Sequence, residues 1–166
     1  STRKESSAAS DVYKRQKYSY FVSIGDVGYR KLWFDRIRER RLNIINIIDS
    51  SAIISASAKM GIGNFVGKMA VINADAEIGN NNVINTKALI EHECKVGDHN
   101  HLSTNSVING NVIVGNSVFL GSSSVCNGQL KIGSNAIIGS GSVIIKDIPE
   151  KVTVVGVPAR VIKRRD

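Results

Sequence analysis

The sequence has 166 residues, 42% of them apolar and 22% charged, which is typical of a globular protein and excludes a disordered or fibrous chain. The net charge of +8 is concentrated at the ends: residues 1–48 carry eleven Lys and Arg against five Asp and Glu, and residues 151–166 carry five against one. Because residues 49–150 carry six against eight, without a basic face interleaved with aromatic residues, we predict no nucleic-acid partner.

No apolar run approaches the roughly 20 residues that a membrane span needs, and no signal peptide is visible, so we predict no membrane span. The two cysteines, Cys94 and Cys126, are too few for a disulfide framework and fit a reducing compartment. We therefore expect a cytoplasmic protein.

Residues 1–16 are polar and show no hydrophobic periodicity. The stretch from Asp11 to Gln16, DVYKRQ, resembles a translated sequencing adapter. We expect residues 1–16 to be an artefact or a disordered tail that carries no chemistry.

Residues 17–49 predict a strand, a helix and a second strand. The β-rich run from Tyr18 to Ile24 ends at a Gly-Asp turn, helical spacing of apolar residues follows from about Gly28 to Arg41, and an Ile-rich run extends from Leu42 to Ile48. Because one such βαβ unit cannot cover both faces of a parallel sheet, we expect it to be the remnant of an α/β domain of the nucleotide-binding type, with further elements upstream. No GxGxxG loop is present in the sequence.

Residues 50–150 follow a period of six. Every sixth residue from Ile54 to Ile144 is apolar, at sixteen consecutive sites, and the residue four positions after each site is usually Ala or Ser. Neither a helix nor a simple strand has this period. The pattern predicts short strands joined by turns, with three hexads closing a triangular coil of eighteen residues, and about five coils stacked by parallel pairing. The repeat ends after Ile148-Pro149, and residues 151–166 form a closing segment and basic tail.

The densest polar cluster, from Glu91 to His101, contains all three histidines. In the hexad register His92 and Glu93 occupy an outward turn, where a carboxylate can fix the tautomer of a histidine base and support its cationic form. Solvated surface residues would give the same register.

The eighteen-residue coil places Gly110, Gly128 and Lys146 in one column with His92, so that the two glycines leave a groove and free backbone N–H groups beside the imidazole. A neighbouring column carries only small residues, Thr104, Ser122 and Ser140. A long, thin ligand can lie along such a surface.

A metal site is the main alternative, because the spacing H-x-C-x4-H-x-H resembles a ligand set and γ-class carbonic anhydrases are zinc-binding β-helices. In the hexad register, however, Cys94 points into the core, and no later histidine completes that pattern. We predict no metal, and we expect Cys94 and Cys126 to be core residues rather than nucleophiles.

The six-residue period resembles that of the hexapeptide-repeat transferases, whose fold is a left-handed parallel β-helix. The ending GVPAR (156–160) resembles the motif that closes this fold in acyltransferases. The segment IEHEC (90–94), with Gly97, His101 and Gly110, is similar to the sialic acid O-acetyltransferase family, and most similar to its UDP-4-amino-sugar N-acetyltransferases of the bacillosamine pathway. The likeness also includes Phe21 to Gly25 and Arg30, and covers about residues 17–163.

The resemblance implies an acetyl-CoA-dependent acetyltransferase that acts on the amino group of a nucleotide-activated sugar of the UDP-4-amino type, in bacterial glycan biosynthesis. It implies that His92 is the general base and that Glu93 raises its basicity. It further implies acetyl-CoA contacts at His101, Gly110, Ser122 and Ser140, and a homotrimer with the cofactor between neighbouring subunits.

Three alternatives remain open at this point. One is O-acetylation of sialic acid or another glycan sugar, which uses the same histidine base. The others are a zinc enzyme of the γ-carbonic anhydrase type and an inactive β-helix that serves only in assembly.

Overall fold

The structure is a computed structural model, and it describes residues 18–165. The predicted tail, residues 1–16, lies outside the described residues. Within them the chain is mainly β: a left-handed parallel β-helix preceded by a small α/β unit that contains one helix. This is the predicted fold class.

The α/β unit has the predicted strand–helix–strand order. Strand β1 (Ser19–Tyr20) pairs in parallel with β2 (Asn43–Ile44), and helix α1 (Val27–Glu39) connects them. Asp26 begins the helix as its N-cap, because its Oδ1 accepts a hydrogen bond from the Tyr29 N–H at 2.9 Å. No helix among residues 18–165 is long and apolar enough to cross a membrane.

The second predicted strand, Leu42 to Ile48, is two strands in the structure. Its first part is β2, whereas its second part, β3 (Ile47–Ile48), pairs with Phe65–Val66 in the β-helix. The solenoid therefore begins one hexad before Ile54, the first apolar site recognised in the repeat. Ile48 lies six residues before Ile54 and fits the period, so counting back along the sequence could have found this hexad.

Two-residue strands recur every six residues through the β-helix, and each pairs in parallel with the strand eighteen residues further on, as Leu89 does with Val107. After β3 the strands are β4 (Ile53–Ile54), β5 (Lys59–Met60), β6 (Phe65–Val66), β7 (Val71–Ile72), β8 (Glu77–Ile78), β9 (Val83–Ile84), β10 (Leu89–Ile90), β11 (Lys95–Val96), β12 (His101–Leu102), β13 (Val107–Ile108), β14 (Ile113–Val114), β15 (Phe119–Leu120), β16 (Val125–Cys126), β17 (Lys131–Ile132), β18 (Ile137–Ile138) and β19 (Val143–Ile144). The predicted eighteen-residue coil is confirmed.

The second residue of each strand points into the prism and the first points outward. Of the sixteen predicted apolar sites, all are buried except Ile54 and Met60 in the first coil, which are half-buried. The small sites are buried too, apart from the half-buried Ala58. In most hexads one large and one small side chain therefore fill the triangular core, as predicted, whereas Val112, Val118 and three buried asparagines take the small site in others.

The three faces of the prism differ in their outward residues, and we name them accordingly. The aliphatic face (β4, β7, β10, β13, β16, β19) presents Ile53, Val71, Leu89, Val107, Val125 and Val143. The charged face (β5, β8, β11, β14, β17) presents Lys59, Glu77, Lys95, Ile113 and Lys131. The covered face (β3, β6, β9, β12, β15, β18) presents Ile47, Phe65, Val83, His101, Phe119 and Ile137, and the α/β unit lies against part of it.

The third residue of each corner turn has a left-handed backbone. Every sixth residue from Gly63 to Gly141 has a φ between 55° and 74°, and twelve of these fourteen residues are not glycine. Asn and Asp, which hold five of these positions, tolerate this conformation better than most side chains. The glycines that the repeat places directly after the apolar sites serve another purpose: a Cβ on Gly79 would collide with Asp98 Oδ1 of the next coil.

A buried arginine joins the α/β unit to the β-helix. Arg30 on α1 is 1% exposed and donates from Nε to the carbonyl of Asn81 and from Nη2 to those of His99 and Asn100, at 3.2 Å each. Its Nη1 donates to the carbonyls of Ile24 and Gly25, so that the guanidinium is satisfied by backbone alone. Burial lowers the pKa of Arg30 from its ordinary value, and Asp26 partly opposes this.

The closing segment forms a hairpin on the covered face. Strand β20 (Val152–Val155) pairs in parallel with β18, and β21 (Arg160–Arg164) pairs antiparallel with β20. The basic residues of this segment are exposed.

Candidate active site

His92 and Glu93 lie at the corner between the aliphatic and charged faces, in the turn that joins β10 to β11. The flanking Ile90 and Cys94 point into the core, in agreement with the hexad register, which leaves the His92 and Glu93 side chains 55% and 58% exposed. A turn held on both sides by buried residues fixes the backbone from which these two side chains project.

The two side chains form a hydrogen-bonded pair. His92 Nδ1 lies 3.0 Å from Glu93 Oε2. An ionised carboxylate can only accept, so Nδ1 must carry the proton, and the Nε2 of a neutral His92 is left with its lone pair free. This is the arrangement that a general base requires.

Glu93 is held as a carboxylate. The hydrogen bond from His92 lowers its pKa from the ordinary value, and a second hydrogen bond, from Asn111 Nδ2 to Oε2 at 3.1 Å, acts in the same direction. The pair therefore combines a fixed negative charge with a proton acceptor.

Gly110 lies directly beneath the imidazole, one coil further along the chain. A Cβ at this position would lie 2.6 Å from both Cε1 and Nε2 of His92, so that any side chain here would displace the ring. Gly128 follows on the next coil and Lys146 on the one after. The column predicted from the sequence thus leaves the Nε2 edge of the ring unobstructed from this side.

The predicted cofactor residues lie elsewhere on the prism. Thr104, Ser122 and Ser140 are exposed at the corner between the covered and aliphatic faces. That corner and the corner of His92 are the two edges of the aliphatic face.

His101 lies on the covered face, opposite the corner that carries His92. It is half-buried beside Phe119, with ring centroids 5.2 Å apart, and its Nδ1 is buried without a partner among the described residues. Burial lowers the pKa of His101, and the nearby Arg30 lowers it further. A site that uses His92 together with His101 and Ser122 therefore needs more than one copy of the chain.

The three histidines occupy three different places, because His99 lies at the corner between the charged and covered faces. It is buried under α1, where its ring meets Phe34 edge-on at 5.6 Å and its Nδ1 lies 2.8 Å from Asn81 Nδ2. Residues 18–165 hold no group of three or more His, Cys, Asp and Glu side chains arranged for a metal ion.

Both cysteines are core residues, as the register predicts. Cys94 and Cys126 are fully buried, and burial raises the pKa of both thiols, that of Cys126 to about 12. Neither thiol is an activated nucleophile.

Sequence reasoning missed two residues near these sites. Asn111, which binds Glu93, lies eighteen residues after it, so the same column argument that found Gly110 could have found it. Arg30 was noted only as part of a resemblance, because nothing in a helical pattern distinguishes a buried arginine from an exposed one.

Solved structures provide the comparison with known proteins. Perosamine N-acetyltransferase (PerB) from Caulobacter crescentus, in complex with CoA and GDP-perosamine, is 36% identical over 87% of this chain and 70% of its own, with a TM-score of 0.86. The chain belongs to the hexapeptide-repeat sugar N-acetyltransferases. Comparisons with family models and with curated proteins find no match.

Two further solved structures are similar to this chain. The acetyltransferase domain of PglB from Neisseria gonorrhoeae, in complex with acetyl coenzyme A, is 28% identical over 86% of this chain and 69% of its own, with a TM-score of 0.84. WeeI from Acinetobacter baumannii, at 23% identity over 87% of this chain and 70% of its own, has a TM-score of 0.83 and shares the fold. This hexapeptide-repeat acetyltransferase therefore shares the left-handed β-helix of its relatives.

The contact between Gly110 and His92 gives a testable prediction. In Gly110→Ala the new methyl group must push the imidazole away, so we expect a loss of turnover of about 10²-fold, the cost of moving a reacting group by about 1 Å. The φ of Gly110 lies outside the left-handed region, so alanine should leave the backbone and the melting temperature nearly unchanged. Wild-type turnover in a folded Gly110→Ala enzyme would show that His92 is not held over Gly110 during catalysis.

Proposed function

We propose that this protein transfers an acetyl group from acetyl-CoA to the amino group of a nucleotide-linked amino sugar, with His92 as the general base. The observation that carries this proposal is the His92–Glu93 pair, in which Nε2 is free and faces the space above Gly110. The fold supports it, since the related PerB was solved with CoA and GDP-perosamine and the PglB domain with acetyl coenzyme A.

The proposed reaction is a direct transfer. Nε2 of His92 takes a proton from the sugar amine as the nitrogen attacks the thioester carbonyl, after which the C–S bond breaks and CoA leaves as a thiolate that takes up a proton. Glu93 balances the positive charge that develops on the imidazole. Because an amine is a good nucleophile once deprotonated, no acyl-enzyme is needed.

The backbone beside His92 can stabilise the transition state. The N–H of Gly110 has no hydrogen-bond acceptor among the described residues, and Gly110 lies against the ring of the base. We assign this N–H to the oxyanion that forms on the thioester carbonyl.

A UDP-linked 4-amino sugar is the substrate that the sequence resemblance implies, and we propose it first. GDP-perosamine is the second candidate, because it is bound in a relative 35–36% identical to this chain. Transfer to a hydroxyl group would use the same base, but the relative solved with a nucleotide sugar is by name an N-acetyltransferase. Assays with both nucleotide sugars distinguish the candidates.

We further propose that the active unit is a homotrimer built around the aliphatic face. Its six outward residues, Ile53 to Val143 at intervals of eighteen, form a continuous apolar stripe that no described segment covers, whereas the charged face presents Lys and Glu. Burying such a stripe against copies of itself is favourable, and three prisms can turn one face each toward a common threefold axis.

This packing would bring the two predicted sets of residues together. When the aliphatic faces turn inward, the two edges of that face lie beside edges of neighbouring copies. The corner with His92 and Gly110 then meets the neighbour's corner with Ser122 and Ser140, next to His101 on the covered face. Acetyl-CoA would lie in this cleft, between the base of one copy and the small residues of the next.

Replacing the base tests the mechanism. We expect His92→Ala to lower kcat by about 10²–10⁴-fold, the usual contribution of a general base, without a change in melting temperature. Glu93→Gln should cost less, because it removes the charge that supports the imidazole but leaves the proton acceptor. Steady-state rates with acetyl-CoA and each nucleotide sugar measure both effects.

Lys95→Ala is the matched control, since Lys95 is an exposed residue on the charged face three positions after His92. It should retain wild-type kcat. His99→Ala is unsuitable as a control, because His99 packs under α1. Retention of most activity in His92→Ala would refute the assignment of the base.

A bulky residue at the small corner tests the cofactor site. Ser122 is exposed, so Ser122→Trp should leave the fold intact but fill the proposed channel and weaken acetyl-CoA binding by at least about 10-fold. The control is Lys68→Trp, which lies in the same column three coils earlier and already has a long side chain. Equal acetyl-CoA affinities of Ser122→Trp and the wild type, measured by calorimetric titration, would place the cofactor on another part of the surface.

A further inference from the structure

Asn111 contacts the proposed catalytic pair without belonging to it. It occupies the third position of its corner turn, one coil after Glu93, with a φ of 60°. Its Nδ2 donates to Glu93 Oε2 at 3.1 Å, and the same oxygen accepts from His92 Nδ1 at 3.0 Å. One carboxylate oxygen therefore receives two donors, one from the base and one from the neighbouring coil.

We propose that Asn111 is a positioning residue for the acetyl transfer, which fixes the Glu93 carboxylate so that it holds the His92 imidazole in one orientation. This inference rests on the proposed role of His92 as the base. It adds a third member to the pair, in the order Asn111, Glu93, His92.

The exposure of the pair explains why a third residue is needed. Both side chains are more than half exposed, and a hydrogen bond between two exposed, flexible side chains is a weak restraint. The glutamate has three rotatable side-chain bonds, so its contact with His92 alone leaves the carboxylate free to swing. A second donor from a fixed point reduces that freedom.

The backbone of Asn111 is such a fixed point, although its side chain is exposed. Its backbone N–H donates to the His92 carbonyl at 3.0 Å, so its Cα is tied to the residue whose ring must be oriented. The asparagine side chain is short, with two rotatable bonds, and its amide reaches Glu93 across a single coil spacing. The stacking of the coils therefore sets both the position of the Asn111 backbone and the distance from its amide to Glu93.

The chemistry of the amide suits this role. A neutral amide stabilises the ionised carboxylate, in line with the lowered pKa of Glu93, whose first cause is the hydrogen bond from His92 and whose second is the bond from Asn111. A lysine or arginine here would compete with the imidazole for the carboxylate. An amide orients the carboxylate and leaves its charge available to His92.

The alternative is that Asn111 only stabilises its turn. Asn105 makes a similar contact at another corner, from its Nδ2 to Ser123 Oγ at 3.1 Å, where no catalytic group is present. Asparagine also suits the left-handed backbone. A test must therefore separate an effect that passes through Glu93 from an effect on the fold.

The first measurement is Asn111→Gly, which removes the amide and tolerates the left-handed backbone. We expect kcat to fall about 10-fold, since a loosened reacting group costs up to about 10²-fold, with KM for both substrates within about twofold of wild type. Gln129→Gly is the matched control, because Gln129 has the same turn position one coil further, with a φ of 64°, and should keep wild-type kcat.

The second measurement repeats the substitution in a Glu93→Gly enzyme, where the carboxylate is absent. If Asn111 acts through Glu93, Asn111→Gly should cause less than about a twofold further change in kcat in this background. Equal losses in the two backgrounds would overturn the proposal, because a structural role does not depend on Glu93.

Asn111→Asp also removes the amide donor to Glu93, but without a change in side-chain size. Aspartate has the shape of asparagine and places an acceptor next to Glu93. We expect a loss of kcat at least as large as in Asn111→Gly. Wild-type kcat in both variants would refute the positioning role while a loss in His92→Ala still supports the base. Full activity in His92→Ala would instead refute the proposed base itself.

Discussion

The stacking of coils at intervals of eighteen residues is the constraint on which the rest of the structure depends. Each strand pairs with the strand eighteen residues further on, so every residue has a fixed neighbour on the next coil. The relation of Gly110 to His92 and that of Asn111 to Glu93 both follow from this interval. The site is therefore formed by residues from successive coils that the eighteen-residue period brings into contact.

The same period gives each face of the prism its own chemistry. The core positions are alike on all three faces, but the outward positions are aliphatic on one, charged on the second and covered by the α/β unit on part of the third. Arg30 holds that unit to the β-helix through backbone carbonyls, so that the α/β unit already occupies part of the covered face. This leaves the aliphatic face as the surface that we propose for subunit contact, with the proposed base at its edge.

Much of this could be predicted from the sequence because the period of six is strict. The core sites, the eighteen-residue coil, the outward placement of His92 and Glu93 and the glycine beneath His92 all follow from counting. The start of the solenoid at Ile47 also follows from counting back, since Ile48 lies six residues before Ile54. The burial of His99 and Arg30 could not be predicted in this way, because it depends on how the α/β unit packs. The left-handed backbone of the turn residues, Glu93 among them, could not be predicted either, because twelve of the fourteen are not glycine.

The central claim is that one active site combines His92 of one copy with the Ser122 corner of the next, and mixed trimers test it most directly. His92→Ala and Ser122→Trp chains are co-expressed with different tags, mixed assemblies are purified through both, and rates are measured at an acetyl-CoA concentration too low to sustain the Ser122→Trp chain alone. Every cyclic trimer that contains both chains has one site in three with an intact His92 and an intact Ser122, so the account predicts activity near a third of wild type. Mixed assemblies with no more activity than the separate variants would contradict it.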